Sequence, residues 1–449
     1  MMIDGVGSDY IKWNMASFMG RVNYGYMGRY LLTLSARYDG SSRLAEGHKW
    51  VLFPSAALAW RISDEPFMKD LVWLDNLKLR VGYGKTGNSA VSPYQTKGQL
   101  ALRHYVFNNG SSEYIGYAPS VMANDQLTWE TTDQWNVGVD FGFLKNRING
   151  TVEFYLQNTK DLLLKRQLPV VSGFSSVMSN VGSTRNKGIE ITLNTRNIMN
   201  RNFTWSTDLT FSANKEEIVE LYNGKTDDVG NLWFIGQPID VYYNYKKIGI
   251  WQNTENDLAE MAKFNEKGAN FKPGSIRLED VDGDYKITEE DKQILGSVRP
   301  KFVASMVNNF EFKGFDLSVF LYASVGGLLR NNIEFMEKPG RGNTVKVDYW
   351  TPTNPTNAFP RPSVDVEKLD YISTLGYDKA DFLRIRNITL GYTLPEMWSK
   401  KVLMDKIRIY LSANNPAIFT NFTGIDPEGA NGRTAPSYST WMFGINLSM

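Results

Sequence analysis

Trp441-Met442-Phe443-Gly444-Ile445-Asn446-Leu447-Ser448-Met449 puts Trp441, Phe443, Ile445, Leu447 and Met449 on one side of an extended chain and Met442, Gly444, Asn446 and Ser448 on the other. Successive side chains of a strand point to opposite faces, so this is a strand with an oily face and a wet face. The same alternation sets Trp135, Val137, Val139, Phe141 and Phe143 against Asn136, Gly138, Asp140 and Gly142. It returns in Phe203, Trp205, Leu209 and Phe211 against Thr204, Ser206, Asp208 and Thr210. Thirteen stretches read this way: 16–26, 29–39, 51–62, 75–86, 130–143, 146–158, 182–197, 202–214, 301–312, 315–327, 381–394, 405–414 and 436–449. A soluble sandwich of this size would struggle to hide so continuous an apolar face, whereas lipid would cover it. The expectation is an all-β chain forming an antiparallel transmembrane β-barrel, its segments of about 10 to 15 residues suited to crossing a bilayer at a tilt.

The spacing between strands sharpens this expectation. Short links at 27–28, 63–74, 144–145, 198–201, 313–314 and 395–404 take turns with long ones at 40–50, 87–129, 159–181, 215–300, 328–380 and 415–435. Outer-membrane barrels pair tight periplasmic turns with long extracellular loops, and Greek-key sandwiches have no reason to do so. On that reading the first and last strands both run inward. Thirteen is odd, while a single-chain barrel with both ends on the periplasmic side needs an even count. At least one further strand is therefore expected before Met1, together with a signal peptide, since Met1 to Tyr10 holds neither a basic n-region nor an apolar h-region.

Composition agrees with two-faced strands. Of 449 residues, 42% are hydrophobic and 13% aromatic, and no apolar run reaches the roughly 18 to 20 residues of a spanning helix. A net charge of +1, from 49 basic and 48 acidic side chains, gives no field for gathering nucleic acid. The absence of cysteine excludes disulfides, zinc-thiolate sites and thiol nucleophiles. Only His48 and His104 remain for imidazole chemistry, and neither joins a serine elbow, a metal-binding pair or a phosphate loop. An enzyme is not expected.

A run of ordered motifs carries a family resemblance. Phe18-Met19-Gly20-Arg21-Val22-Asn23-Tyr24, Arg37-Tyr38-Asp39-Gly40-Ser41-Ser42-Arg43, Phe53-Pro54-Ser55 and Gly84-Lys85-Thr86-Gly87-Asn88 come first. Thr128-Trp129-Glu130, Asn180-Val181-Gly182, Asn186-Lys187-Gly188-Ile189-Glu190, Phe382 through Tyr392 and Thr423-Gly424-Ile425-Asp426-Pro427-Glu428 follow. The set resembles the SusC/RagA-type TonB-dependent transporters of the Gram-negative outer membrane. The resemblance implies that 1–449 is the C-terminal part of a 22-stranded barrel, with about 13 strands present and the plug domain and signal peptide lying outside it. It further implies import of a glycan or peptide, with a SusD-like surface lipoprotein as lid and the TonB complex engaged through the N-terminal part. The rival reading is a non-transporting, β-rich surface protein that binds glycans or adheres.

Two groups of residues could carry binding chemistry, and both lie largely in the 215–300 loop. Asp280, Asp282, Asp284, Lys286 through its carbonyl, Thr288 and Asp291 occupy positions 1, 3, 5, 7, 9 and 12 of a twelve-residue loop, the spacing of an EF-hand-like Ca2+ cage. Tyr285 stands where glycine usually makes the sharp turn, so a left-handed backbone there would be strained. The alternative is a solvated acidic turn followed by a short helix from Thr288. Trp233, Phe234, Tyr242, Tyr243 and Trp251 offer flat apolar faces for a sugar or peptide ligand, or a packing core for the loop itself.

Overall fold

The computed structural model describes residues 10–110, 112–331, 347–362, 370–429 and 437–449. Its main feature is one thirteen-stranded antiparallel sheet in which each strand pairs with the next wall strand in the sequence. The strands are Met15–Tyr26, Tyr30–Ser41, Trp50–Arg61, Leu74–Asn88, Glu130–Phe143, Ile148–Lys160, Ser183–Met199, Phe203–Glu220, Phe302–Phe312, Phe315–Val325, Phe382–Thr393, Lys406–Thr420 and Thr440–Ser448. All thirteen expected segments are present in the expected order. Long links again alternate with short ones, and among the described residues no helix is long and apolar enough to cross a membrane.

The chain divides into two compact units, Met1–Asn197 with Ser212–Ile239, and Ile198–Phe211 with Asp240–Met449. In the first, Trp135, Val137, Phe154 and Leu156 stand exposed on one face of the sheet. The other face carries an ion network: Arg80 lies 2.9 Å from Asp140 and 3.3 Å from Glu153, and Lys78 lies 3.3 Å from Asp140. Gly138 leaves room there for the Arg80 guanidinium, which a Cβ at that position would meet at 2.8 Å. The second unit repeats the device. Arg408 bonds Asp316 from two strands away, and Gly391, on the intervening strand, leaves room for both side chains. Its shortest turn, Lys313-Gly314, takes φ of 47° and 89°, the mirror-image geometry that matches the right-handed twist of a hairpin.

Several strands run beyond the alternation. The strand expected at 202–214 continues to Glu220 through Lys215, Glu216 and Glu217, and the one expected at 405–414 continues to Thr420. Lipid no longer demands an apolar face at those ends, so the hydrophobic pattern stops while pairing goes on.

The buried cores lie away from the sheet faces, in the long links and the strand ends that meet them. In the first unit Leu44, Phe53, Val91 and Trp129 form a cluster, with Trp129 edge-on to Phe53 at 5.5 Å and donating its Nε1 hydrogen to the Lys49 carbonyl. In the second, Ile250, Ile276, Leu278, Trp350, Ile372 and Leu375 form one cluster and Trp251, Met261, Phe264 and Phe271 another. These cores are framed by short antiparallel pairs, Val241–Tyr245 with Lys292–Ser297 and Lys247–Ile250 with Ile276–Leu278, and by the helix Glu255–Glu266. Thr254 caps that helix by accepting from the Asp257 amide, and Met261 and Phe264 face its core.

Candidate functional site

The acidic loop folds as a set of short-range clasps. Asp280 accepts from the amides of Gly283 at 2.8 Å and Tyr285 at 2.9 Å, Asp282 from Asp284 at 3.1 Å, and Asp284 from Lys286 at 2.7 Å. Tyr285 adopts φ of 62°, the left-handed conformation that its place in the loop foreshadowed, and Lys263 sits over its ring. Carboxylate oxygens of Asp280, Asp282 and Asp284 all lie within 4.8 Å of one another. No lysine or arginine among the described residues forms an ion pair with any of the three.

The remaining two side chains of the expected cage do different work. Asp291 is fully buried and receives the amides of Val281 at 2.8 Å and Thr288 at 2.7 Å, so it ties the two ends of the loop together and stands outside the three-carboxylate cluster. Thr288 caps the single helical turn Glu289–Asp291, the short helix of the alternative reading. Crowding shows in the titration of Asp282. The Asp284 amide favours its charged form, yet desolvation, the charges of Asp284 and Asp291 and the hydrogen bond with Asp280 outweigh it and hold the carboxyl above the usual aspartate value. Three converging oxygens with unbalanced negative charge suit a hard divalent cation such as Ca2+, for which Asp280, Asp282 and Asp284 would supply side-chain ligands.

Two of the aromatic candidates are buried. Trp251 is 1% exposed, packed against Phe264 and Phe271 with Arg277 over its ring at 4.4 Å, so it has no face to offer a ligand. Phe234 is likewise buried. Both belong to loop cores, because large rings placed in a long link are the cheapest way to bury apolar area there. Trp233 and Tyr243 are half-buried in different units. Tyr242 lies edge-on to Tyr377 at 5.2 Å, and its hydroxyl accepts from the Arg330 amide at 3.3 Å.

The structure also gives the family-like motifs a physical meaning. Asn180 grips the backbone of Thr128 from both sides, accepting from its amide at 2.8 Å and donating to its carbonyl at 2.9 Å. Arg384, 3% exposed, holds Asp426 at 2.7 Å and Glu428 at 2.9 Å, and so ties Thr423–Glu428 to the Phe382–Thr393 strand. One feature had no signal in the sequence: an open cavity of about 500 Å³ in the second unit, lined by Lys247, Leu328, Phe359, Leu375, Asp378 and Thr423 among others. Its walls come from links far apart in the chain, so no local spacing betrays it.

With the alternating sheet and the loop geometry in place, comparison with known families is decisive. The family model described as TonB dependent receptor-like, beta-barrel, matches residues 5–416. The chain belongs to the TonB-dependent receptor β-barrel family. As a receptor barrel it is an outer-membrane protein, and its relatives are receptors, not enzymes. TonB-dependent receptor P3 of Formosa agariphila is 34% identical over 98% of the chain and 46% of the relative. TonB-dependent receptor SusC of Bacteroides thetaiotaomicron is 32% identical over 96% of the chain and 43% of the relative. The RagAB peptide transporter structure superposes with a TM-score of 0.79 at 26% identity, covering 97% of this chain and 48% of that one. The receptor barrel described here thus spans about half the length of the curated relatives it matches.

Proposed function

We propose that the chain is the C-terminal part of a TonB-dependent importer that carries a glycan or peptide across the outer membrane with a SusD-like lipoprotein as lid. The single observation that supports this most is the match to SusC and to the RagAB peptide transporter along nearly the whole chain. On this reading the sheet contributes barrel wall and the long links contribute the outer loops that meet cargo and lid. Energy enters through the TonB complex, which engages the N-terminal part of the whole protein. The test is uptake of labelled oligosaccharides and peptides by cells carrying the intact gene, with and without TonB and the lipoprotein. Import that disappears on losing either one is expected; uptake indifferent to this protein would contradict it and favour the surface-adhesion reading.

The 280–291 loop enters this proposal as a Ca2+-stiffened outer loop, supported by the three converging carboxylates and the raised Asp282. Calorimetric titration of the intact protein with Ca2+ should show binding that disappears in the double variant Asp280→Ala, Asp284→Ala. No heat in the parent protein ends the calcium reading.

A further inference from the structure

The cavity among the loops of the second unit has a chemistry of its own. Leu328, Phe359 and Leu375 contribute apolar lining. Lys247 also lines it, and its ammonium donates to the carbonyls of Asn357 at 2.8 Å and Ala358 at 2.6 Å. Those two bonds fix its direction and leave one of its three hydrogens. Of the neighbouring charges Lys246 is matched, whereas Asp378 has a neutral hydroxyl as its partner. Lys246, also on the wall, pairs with Glu279 at 3.0 Å, Gln293 donates to the same carboxylate at 2.7 Å, and Asp378 receives the Thr423 hydroxyl. Lys247 is different: among the described residues no carboxylate lies within ion-pair distance of it, and Asp378 acts on it only at longer range. Burial accordingly pushes its ammonium below the usual lysine value, against the weaker pull of Asp378.

Lys247 is thus a partly buried cation held in place by neutral carbonyls, lining an open volume with no ion-pair partner among the described residues. We propose that this cavity is a carboxylate-binding subsite. It takes a short oligomer that ends in or bears a carboxylate, with Lys247 receiving the anion and the Leu328, Phe359 and Leu375 wall packing the adjoining chain. A volume of about 500 Å³ lies within the range of pockets that enclose small ligands. The same chemistry could be presented by a peptide C-terminus or by a uronic acid residue. The inference deepens the import reading and rests on it only for the ligand's route to the loops.

The experiment is calorimetry on the intact detergent-solubilised protein with N-acetyl-trialanine as free acid and as amide, and with a trigalacturonate and its methyl ester. Binding of at least one free acid, weakened about tenfold or more by amidation or esterification, is expected. Which acid binds identifies the source. Lys247→Met should lose that binding and Lys247→Arg should keep part of it. Because Lys247 also ties down Asn357 and Ala358, Leu328→Trp provides a second variant that fills the cavity and leaves the lysine alone; it too should abolish binding. Equal binding of acid and capped forms, or no acid bound at all, overturns the subsite. Cellular uptake that persists in that case leaves import standing, and acid binding without uptake does the reverse.

Discussion

Two parts of the second unit use the same kinds of residue in opposite ways. In the Thr440–Ser448 strand Trp441 is 66% exposed and Phe443 71%, whereas in the outer loops Trp251 is 1% exposed with Phe264 and Phe271 against it. The sheet displays its rings and the loops hide theirs. The difference follows from the surroundings. Strands in lipid need no partner for an apolar face but must pair their backbone hydrogen bonds, which the antiparallel ladder does between neighbouring strands, Met15–Tyr26 and Thr440–Ser448 standing at its two edges. Loops in water must bury apolar area among themselves to hold any shape, so they build a small soluble core from rings, a capped helix and short strand pairs. The polar face of the sheet is matched internally by ion pairs such as Arg408 with Asp316 and Arg80 with Asp140, beside which Gly391 and Gly138 leave room.

The comparison can be broken from either side. Trp251→Ala should cost the loop core about 3 to 5 kcal/mol, exposing 255–290 to protease while the sheet still inserts. Limited proteolysis of purified outer membranes measures this. Val137→Arg, at the middle of an exposed apolar face, should cost about 2 to 4 kcal/mol of membrane stability and lower the amount of heat-modifiable barrel on gels. That change should leave the fold of the loops in the surviving molecules intact. The smallest effect concerns Asp282. Its carboxyl titrates higher in the folded loop than in the unfolded chain, so the folded loop holds that proton more tightly and stability falls as pH rises through the folded value. Without Ca2+, cleavage within 280–291 should therefore be faster near about pH 7 than near about pH 4. Added Ca2+ should remove the difference; protection that rises with pH in its absence would contradict the repulsion.

The sheet was legible in the sequence because lipid imposes a period of two that recurs from strand to strand, from Phe18 to Leu447, with a register shift at Ile385/Asn387. The loops were not. Trp251, Met261, Phe264 and Phe271 share a core, but their spacing mixes a helix with irregular segments and gives no single period. The acidic loop was half legible. Spacing found Asp280, Asp282 and Asp284, and the strained Tyr285, because those features are local. It could not show that both oxygens of Asp291 would be taken up by backbone amides. Trp251 and Phe234 were misplaced among ligand-facing residues for a related reason: an aromatic in a long link looks the same whether it faces cargo or core. Lys247 gave no sign at all, since its partners Asn357 and Ala358 lie more than a hundred residues away.

The central claim is that one face of the sheet meets lipid while the loops meet water outside the cell. The chain contains no cysteine, so single replacements report cleanly. Val137→Cys and Asp282→Cys, each in the intact protein on living cells, should be exposed to a membrane-impermeant maleimide. The account predicts rapid labelling at position 282 and almost none at 137 until the membrane is dissolved. Equal labelling of both positions on intact cells would contradict it.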